Sequence, residues 1–248
     1  MKSRNNATFL IMVWLIVAVI LWGEAPPSAE EILSRVDRTI NAPRDQKAKA
    51  KMILIDKTGR EKERIIQVFQ KGTDKRLFRF LSPADQKGIS VLSLPNSVIY
   101  LYLPAFKRVK RIASHIKNNR FAGTDFSYED LEAKDYSKSY TPKLLREESE
   151  AFVLELIPKD RNSAYSKQIM WVRKDNFVII RAELYNRKGK LCKELTQQAI
   201  QNIDGYWIPR QTQMKDLIKN HSTMMVLDEI TFDSGLSDSI FTKRYLQR

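Results

Sequence analysis

LSPADQKGISVLSLPNSVIYLYLPAFKRVKRIASHIKNNRFAGTDFSYEDL, residues 81–131, is the stretch of sequence that decides the fold. Two apolar segments, Ile89–Leu94 and Val98–Leu103, flank a turn at residues 95–97 and predict a pair of strands. A basic run follows, and it ends in an aromatic and glycine-containing corner at residues 121–126. The stretch has no paired nucleophile and base and no metal-ligand spacing. It therefore predicts a binding site rather than a catalytic centre.

Strand-like alternation extends from this stretch in both directions. On the amino-terminal side, strands are predicted from Lys47, over Arg64–Gln70 and over Lys75–Leu81, and within the stretch itself Arg108–Ile112 can form one more. On the carboxyl-terminal side, the predicted strands are Phe152–Ile157, Gln168–Val172, Phe177–Tyr185, Leu191–Ile203, Trp207–Met214 and Thr223–Phe232. Short turns between strands require antiparallel neighbours. The fold class is therefore mainly β, a single curved antiparallel sheet of about eleven strands that rolls into a half-barrel capped by a few helices.

One amphipathic helix is predicted ahead of the sheet, at Ala29–Ile40. Ser28 can cap its amino terminus, and residues 41–43 (Asn-Ala-Pro) stop it. Its apolar face is expected to cover the concave side of the sheet. No linker or composition shift divides residues 26–248, so they are predicted to form one domain.

Residues 1–25 have the features of an export signal. Lys2 and Arg4 precede an uninterrupted apolar run, Phe9–Trp22, and small residues follow it. The run has about 14 residues, whereas a membrane-spanning helix needs about 20. Pro26 disfavours cleavage after Ala25, so an uncleaved inner-membrane tether stays open as the alternative. Either reading predicts a protein of the Gram-negative periplasm.

Charge and the rare reactive residues limit the function classes. The net charge of +14 favours anionic membrane, acidic headgroups or an acidic partner. Nucleic acid is not expected as a partner, because the chain has an export signal and no nucleic-acid-binding motif. The single Cys192 cannot form an internal disulfide, and His115 and His221 lie far apart in predicted loops. We expect no metal, no cofactor and no enzymatic activity.

The chain resembles the outer-membrane lipoprotein-sorting protein family, the LolA/LolB-like periplasmic carriers, over residues 29–246. The motifs that carry the resemblance are Ser82-Pro83, Lys87-Gly88, residues 100–104 (YLYLP), 108–112 (RVKRI), 121–131 (FAGTDFSYEDL) and 241–246 (FTKRYL). The resemblance implies a half-barrel around a hydrophobic cavity that receives the acyl chains of lipoproteins or other lipids. It also implies traffic across the periplasm with an RND-type inner-membrane transporter or an outer-membrane acceptor. The sorting chaperone of the family uses a barrel arginine to hold its lid shut, and no arginine of this sequence is identified as its equivalent.

Two sets of residues are candidates for binding. The cavity wall is predicted to include Leu77, Phe78, Phe80, Val91, Leu101, Leu103, Phe121, Phe126 and Trp171. Headgroups or a partner are predicted to meet Lys107, Arg108, Lys110, Arg111, Lys117 and Arg120.

The segment that follows the basic run is predicted from its own residues. His115–Thr124 is expected to be a polar loop and Tyr128–Leu131 a single helical turn. Asp125 is expected to cap that turn, and Glu129 and Asp130 are expected to pair with the basic run.

The leading hypothesis is a lipid or lipoprotein carrier. The alternative is an adaptor or sensor module for an RND-type transporter, with the same fold and a filled interior. Sequence leaves open which of the two the interior allows.

Overall fold

The structure is a computed structural model that describes residues 26–133 and 135–248. The export signal predicted for residues 1–25 lies outside the described residues. Within the described ranges, every helix is too short or too polar to cross a membrane.

The architecture is one open antiparallel sheet of 13 strands with three short helices. The helices are α1 (Ala29–Ile40), α2 (Tyr136–Ser139) and α3 (Lys243–Leu246). The strands are β1 (Asp45–Ile55), β2 (Glu61–Lys71), β3 (Lys75–Ser82), β4 (Ser90–Leu94), β5 (Val98–Leu103), β6 (Arg108–Arg111), β7 (Tyr140–Glu147), β8 (Ala151–Pro158), β9 (Tyr165–Arg173), β10 (Ile179–Asn186), β11 (Leu191–Ile203), β12 (Tyr206–Asp216) and β13 (His221–Phe232).

Strand order follows the chain almost throughout. It runs β6-β5-β4-β3-β2-β1-β13-β12-β11-β10-β9-β8-β7, so the pairing of β1 with β13 joins two meanders. The mainly β class and the antiparallel sheet are confirmed, and the expected number of strands, about eleven, is wrong. The strand missing from the prediction is β7, which contains Pro142. Proline removes a backbone donor and is tolerated here because β7 is an edge strand.

Helix α1 begins and ends as predicted. The Ser28 hydroxyl accepts a hydrogen bond from the Glu31 amide at 3.1 Å. Ile32, Leu33 and Val36 are fully buried, and burial of each stabilises the fold by about 2 kcal/mol. They form a core cluster with residues of β7–β10, including Leu154 on β8.

A segment between β6 and β7, residues 112–133, lies across the inner face of the sheet and is called the crossing segment below. Its buried residues Phe121, Phe126 and Leu131 share a core with residues of both meanders. Phe121 stacks on Phe80 of β3 with ring centroids 5.2 Å apart. The predicted polar loop is therefore partly wrong, because Phe121 and Thr124 are buried. The predicted helical turn is an isolated turn, in which the Ser127 amide donates to the Asp130 carboxylate at 2.7 Å.

The carboxyl-terminal residues cover the opposite face of the sheet. Phe241 and Leu246 pack with Leu77 and Leu92, whose side chains alternate with those of the inner face. The Arg79 guanidinium donates a hydrogen bond to the Tyr245 carbonyl oxygen at 2.6 Å. The sheet is thus covered on both faces, and a cavity is left on the inner one.

Candidate binding cavity

A cavity of about 350 Å³ lies between the curved sheet, the crossing segment and the ends of α1 and α2. A volume of this size falls at the lower end of the range for small-molecule sites. The sheet residues that line it lie on β1–β3, on β9–β13 and, with Tyr140, at the start of β7, because the sheet curves around it. The apolar lining residues are Ile40, Ala48, Ala50, Ile66, Val68, Phe78, Phe126, Leu131, Met170, Val178, Ile179, Ala182, Leu184, Leu195, Trp207, Ile208, Pro209, Met214, Met225, Leu227 and Ile230.

Strand register orders the lining residues into rows. Phe78, Val68, Ala48 and Ile230 are neighbours across β3, β2, β1 and β13 and form an apolar row. The next row toward the start of β1 and β3 is polar, and it consists of Arg76, Gln70 and Gln46. The cavity therefore has an apolar interior, a polar row with Arg76 on one side, and the acidic residues Glu129, Asp130 and Glu132 of the crossing segment elsewhere in its wall.

The crossing segment closes another side of the cavity, where Phe126 and Leu131 contribute to its wall. Arg64 of β2 donates a hydrogen bond to the Ala122 carbonyl oxygen at 2.6 Å. The same guanidinium lies over the Phe80 ring, 5.1 Å from its centroid. Partial burial lowers the pKa of Arg64. An arginine of the sheet thus holds the segment that covers the cavity.

Asp125 attaches the crossing segment to β13. Its fully buried carboxylate lies 2.6 Å from His221 Nδ1, 2.7 Å from the Thr223 hydroxyl and 2.5 Å from Arg120 Nη2. The Asp125 amide in turn donates to the Thr223 hydroxyl oxygen at 3.0 Å. The predicted role of Asp125 as a helix cap is therefore wrong, because its carboxylate forms a buried polar network.

The acidic residues of the same segment contact the carboxyl-terminal meander. Asp130 accepts hydrogen bonds from Lys193 Nζ at 2.9 Å and from the Tyr165 hydroxyl at 2.9 Å. Burial alone would raise the pKa of Asp130, but Lys193 and the bonds from Ser127 outweigh it and lower that pKa. Glu129 accepts hydrogen bonds from the Ser163 hydroxyl and the Ala164 amide. The predicted pairing of Asp130 with the basic run is wrong.

The predicted wall residues lie in four different environments. Phe78 and Phe126 line the cavity. Phe80, Val91, Leu101 and Phe121 belong to the packed core beside the crossing segment. Leu77 lies on the opposite face, and Leu103 is half-buried at the end of β5. Trp171 alternates with the lining residue Met170 and contacts Arg146 and Arg181 on the outer side of β9.

The candidate basic residues divide into two groups. Lys107, Arg108, Lys110 and Arg111 are exposed on or beside the edge strand β6, next to Phe106, whose side chain is 68% exposed. Lys117 and Arg120 point inward instead. Lys117 Nζ lies 3.4 Å from Glu132, and Arg120 pairs with Asp125.

Several lining residues were not identified from sequence. Leu195, Met214, Met225, Leu227 and Ile230 come from β11–β13. The period-2 alternation of those strands could have placed them on a shared face, but it does not indicate which face is hollow. Nor was the polar row with Arg76 identified.

A half-barrel with a cavity under a crossing segment defines the class of protein, which is one of LolA-like fold. A family model described as an uncharacterized protein matches residues 72–248. The chain is 34% identical to a proposed outer membrane lipoprotein-sorting protein domain from Vibrio parahaemolyticus, with a TM-score of 0.82 over 89% of this chain and 98% of that one. The chain therefore belongs to the LolA-like family of outer-membrane lipoprotein-sorting proteins.

Two further solved structures are similar over nearly the same length. A DUF1329 family protein from Desulfovibrio piger is 28% identical, with a TM-score of 0.83 over 88% of this chain and 97% of that one. A LolA superfamily protein from Nitrosomonas europaea is 25% identical, with a TM-score of 0.76 over 89% of this chain and all of that one. Among curated proteins, none matches the chain.

Proposed function

We propose that the protein is a non-enzymatic periplasmic carrier that shields the acyl chains of a lipoprotein or another lipid in its cavity. The observation that carries this proposal is the cavity of about 350 Å³ with apolar rows across β3, β2, β1 and β13. An adaptor with a filled interior would not need this space. The names of the similar structures, which include lipoprotein sorting, agree with the same role.

The energetics of an acyl cargo suit such a cavity. Each buried CH₂ group stabilises binding by about 0.8 kcal/mol, so a few methylenes already give appreciable affinity. Loading and release require the crossing segment to move. Its anchors, at Arg64, Asp125 and Asp130, are hydrogen bonds and ion pairs, which can break and re-form.

The exposed basic residues of the β6 edge are proposed to face anionic headgroups. Lys107, Arg108, Lys110 and Arg111 form one cationic surface with the exposed ring of Phe106 beside it. Basic residues near an anionic membrane contribute about 1 kcal/mol each, and an aromatic ring favours the interface. Lys117 and Arg120 are not part of this surface.

The carrier proposal is tested by analysis of bound lipid. Mature protein is purified from native membranes, extracted, and examined by mass spectrometry, and delipidated protein is titrated with a fluorescent fatty-acyl probe. We expect co-purified lipid and saturable uptake of the probe. Absence of both would overturn the proposal.

An adaptor for an RND-type transporter is the second candidate, because the basic edge with Phe106 is also suited to an acidic protein partner. Under that hypothesis, substitution of the basic residues at the β6 edge would abolish binding of the partner. The protein would also take up no lipid.

A further inference from the structure

Arg76 places a positive charge in the wall of an otherwise largely apolar cavity. Its side chain is half-buried at the start of β3, where it faces the same space as Phe78. Arg76 Nε donates a hydrogen bond to the Gln70 Oε1 atom at 2.9 Å, and Gln46 Nε2 donates to the same oxygen at 3.1 Å. The guanidinium is therefore held in place by neutral amides.

The ion pairing of Arg76 differs from that of Arg120 in the crossing segment. Within residues 26–133 and 135–248, the guanidinium forms no ion pair with a carboxylate. Arg120, by contrast, pairs with Asp125. Burial lowers the pKa of Arg76 because the cation has lost solvent without gaining a counter-charge. A buried cation without a counter-charge is stabilised by any anion that reaches it.

We infer that the cavity binds acyl lipids with an anionic head, a carboxylate or a phosphate, and that Arg76 and its amide neighbours hold this head. The inference rests on the proposed carrier function and narrows its ligand class. Guanidinium nitrogens form parallel hydrogen bonds with both kinds of oxyanion. The amide nitrogen of Gln46 has two N–H groups, of which one donates to Gln70, so it is a further donor in the same row.

The arrangement of rows orients the ligand. The polar row lies next to the apolar row of Phe78, Val68, Ala48 and Ile230, which leads toward the wall formed by Phe126 and Leu131. The head of the lipid thus lies at Arg76, and its chain runs along the inner face toward the crossing segment. An acyl lipid with a neutral head fills the same apolar rows but leaves Arg76 without a counter-charge.

The test measures the affinity of the mature, delipidated protein for three fluorescent long-chain probes near neutral pH. The probes are a fatty acid, its methyl ester and a lysophosphatidate, so the two anionic heads are separated from each other and from the neutral one. The variants are Arg76→Gln, Arg76→Lys and, as a control of equal charge change, Arg38→Gln on the exposed side of α1.

We expect the wild-type protein to bind at least one anionic probe about tenfold or more tightly than the ester, because only an anionic head forms charge-assisted hydrogen bonds with the guanidinium. Arg76→Gln should remove this preference without changing ester binding, and Arg38→Gln should keep it. The anionic probe with the larger preference identifies the natural head.

Two results overturn the inference alone, and a third overturns the carrier proposal as well. If wild type binds ester and anionic probes equally, or if Arg76→Gln keeps the preference, the inference fails and the carrier proposal stands. If no probe binds, both fail. If Arg76→Gln does not fold, Arg76→Lys decides, because lysine keeps the charge but loses the paired hydrogen bonds. A reduced preference then supports the inference, and an unchanged preference contradicts it.

Discussion

Asp125 is a fully buried carboxylate shared by the crossing segment and β13. Arg120, His221 and Thr223 surround its two oxygen atoms. Removal of one member of a buried ion pair is costly because the other charge is left without compensation. The network therefore makes the position of the crossing segment sensitive to a single side chain.

The first prediction concerns this carboxylate. Asp125→Ala should lower the free energy of unfolding by about 3 kcal/mol, which is the lower end of the range measured when one partner of a buried ion pair is removed. The lower end applies because the Arg120 side chain is 25% exposed. Urea denaturation measures the change. Glu148→Ala, which removes the exposed partner of Arg146, is the control and should cost much less, because solvent screens an exposed ion pair. Equal losses in the two variants would contradict the assigned role.

The second prediction concerns pH. The pKa of Asp130 is lowered in the folded protein, because Lys193 and hydrogen bonds from Ser127 outweigh burial. Its ionised form therefore stabilises the fold above the unfolded pKa of about 4, and this contribution is lost as pH falls through the folded pKa. The stability difference between wild type and Asp130→Asn should be constant between about pH 7 and pH 5 and should narrow below about pH 4. Urea denaturation across this range checks it, and a difference that widens in acid would refute it.

At the residue scale, sequence predicts local partners and misses distant ones. Ser28 was predicted as a cap because its partner, Glu31, is three residues away. Asp125 was assigned to a cap by the same local rule, but its partners His221 and Thr223 are 96 and 98 residues away. No local sequence pattern predicts a contact that forms only after the whole sheet has folded.

At the scale of elements, the crossing segment forms one side of the cavity. Arg64 binds its Ala122 carbonyl from β2, whereas Arg79 on the opposite face of β3 makes an equally short bond to Tyr245. Each guanidinium also covers an aromatic ring. The two arginines therefore make the same kinds of contact, a hydrogen bond to a backbone carbonyl and a cation–π contact, on opposite faces of the sheet.

The third prediction uses this pair. Arg64→Ala should loosen the crossing segment and increase the rate at which a fluorescent acyl probe enters and leaves. Arg79→Ala should cost similar stability, about 1–2 kcal/mol, without changing those rates. Stopped-flow fluorescence measures the rates. Similar acceleration by both variants would show that general destabilisation, and not the Arg64 contact, controls entry.

The fourth prediction concerns the edge strand. Glutamate at Lys107, Arg108, Lys110 and Arg111 should greatly weaken binding to vesicles of anionic lipid, because about 1 kcal/mol per basic residue is lost and repulsion is added. Co-sedimentation measures binding. The control places glutamate at four scattered exposed lysines, Lys57, Lys188, Lys190 and Lys219, and gives the same change of net charge. Equal weakening by both sets would show that net charge alone drives the binding.

Element prediction succeeded where periodicity was clear. α1 follows from local rules and is present as predicted. β7 was missed because Pro142 and its charged residues weaken the strand pattern, and only its place at the edge makes it permissible. The crossing segment was read as polar because its charged side chains outnumber the aromatic anchors Phe121 and Phe126.

At the scale of the whole molecule, short turns and the family motifs were sufficient to predict the curved antiparallel sheet. They were not sufficient to predict whether its interior is filled. The cavity is the volume left by small side chains such as Ala48 and Ala50 on β1 and Ala182 on β10. Such a residual volume depends on register and curvature together, which no single stretch encodes.

The central claim is that this interior space receives an acyl chain, and filling the space tests it most directly. Ala48→Phe adds a ring in the middle of the apolar row, beside Val68 and Ile230. Its control, Ala84→Phe, adds the same ring at an exposed position. The measurement is equilibrium titration of both delipidated variants and wild type with a fluorescent acyl probe, after circular dichroism has shown that each is folded.

We predict that folded Ala48→Phe loses uptake about tenfold or more, since a chain displaced from the cavity forfeits about 0.8 kcal/mol per methylene, while Ala84→Phe binds like wild type. Unchanged binding by folded Ala48→Phe would contradict the claim, because the probe would then be binding outside the cavity.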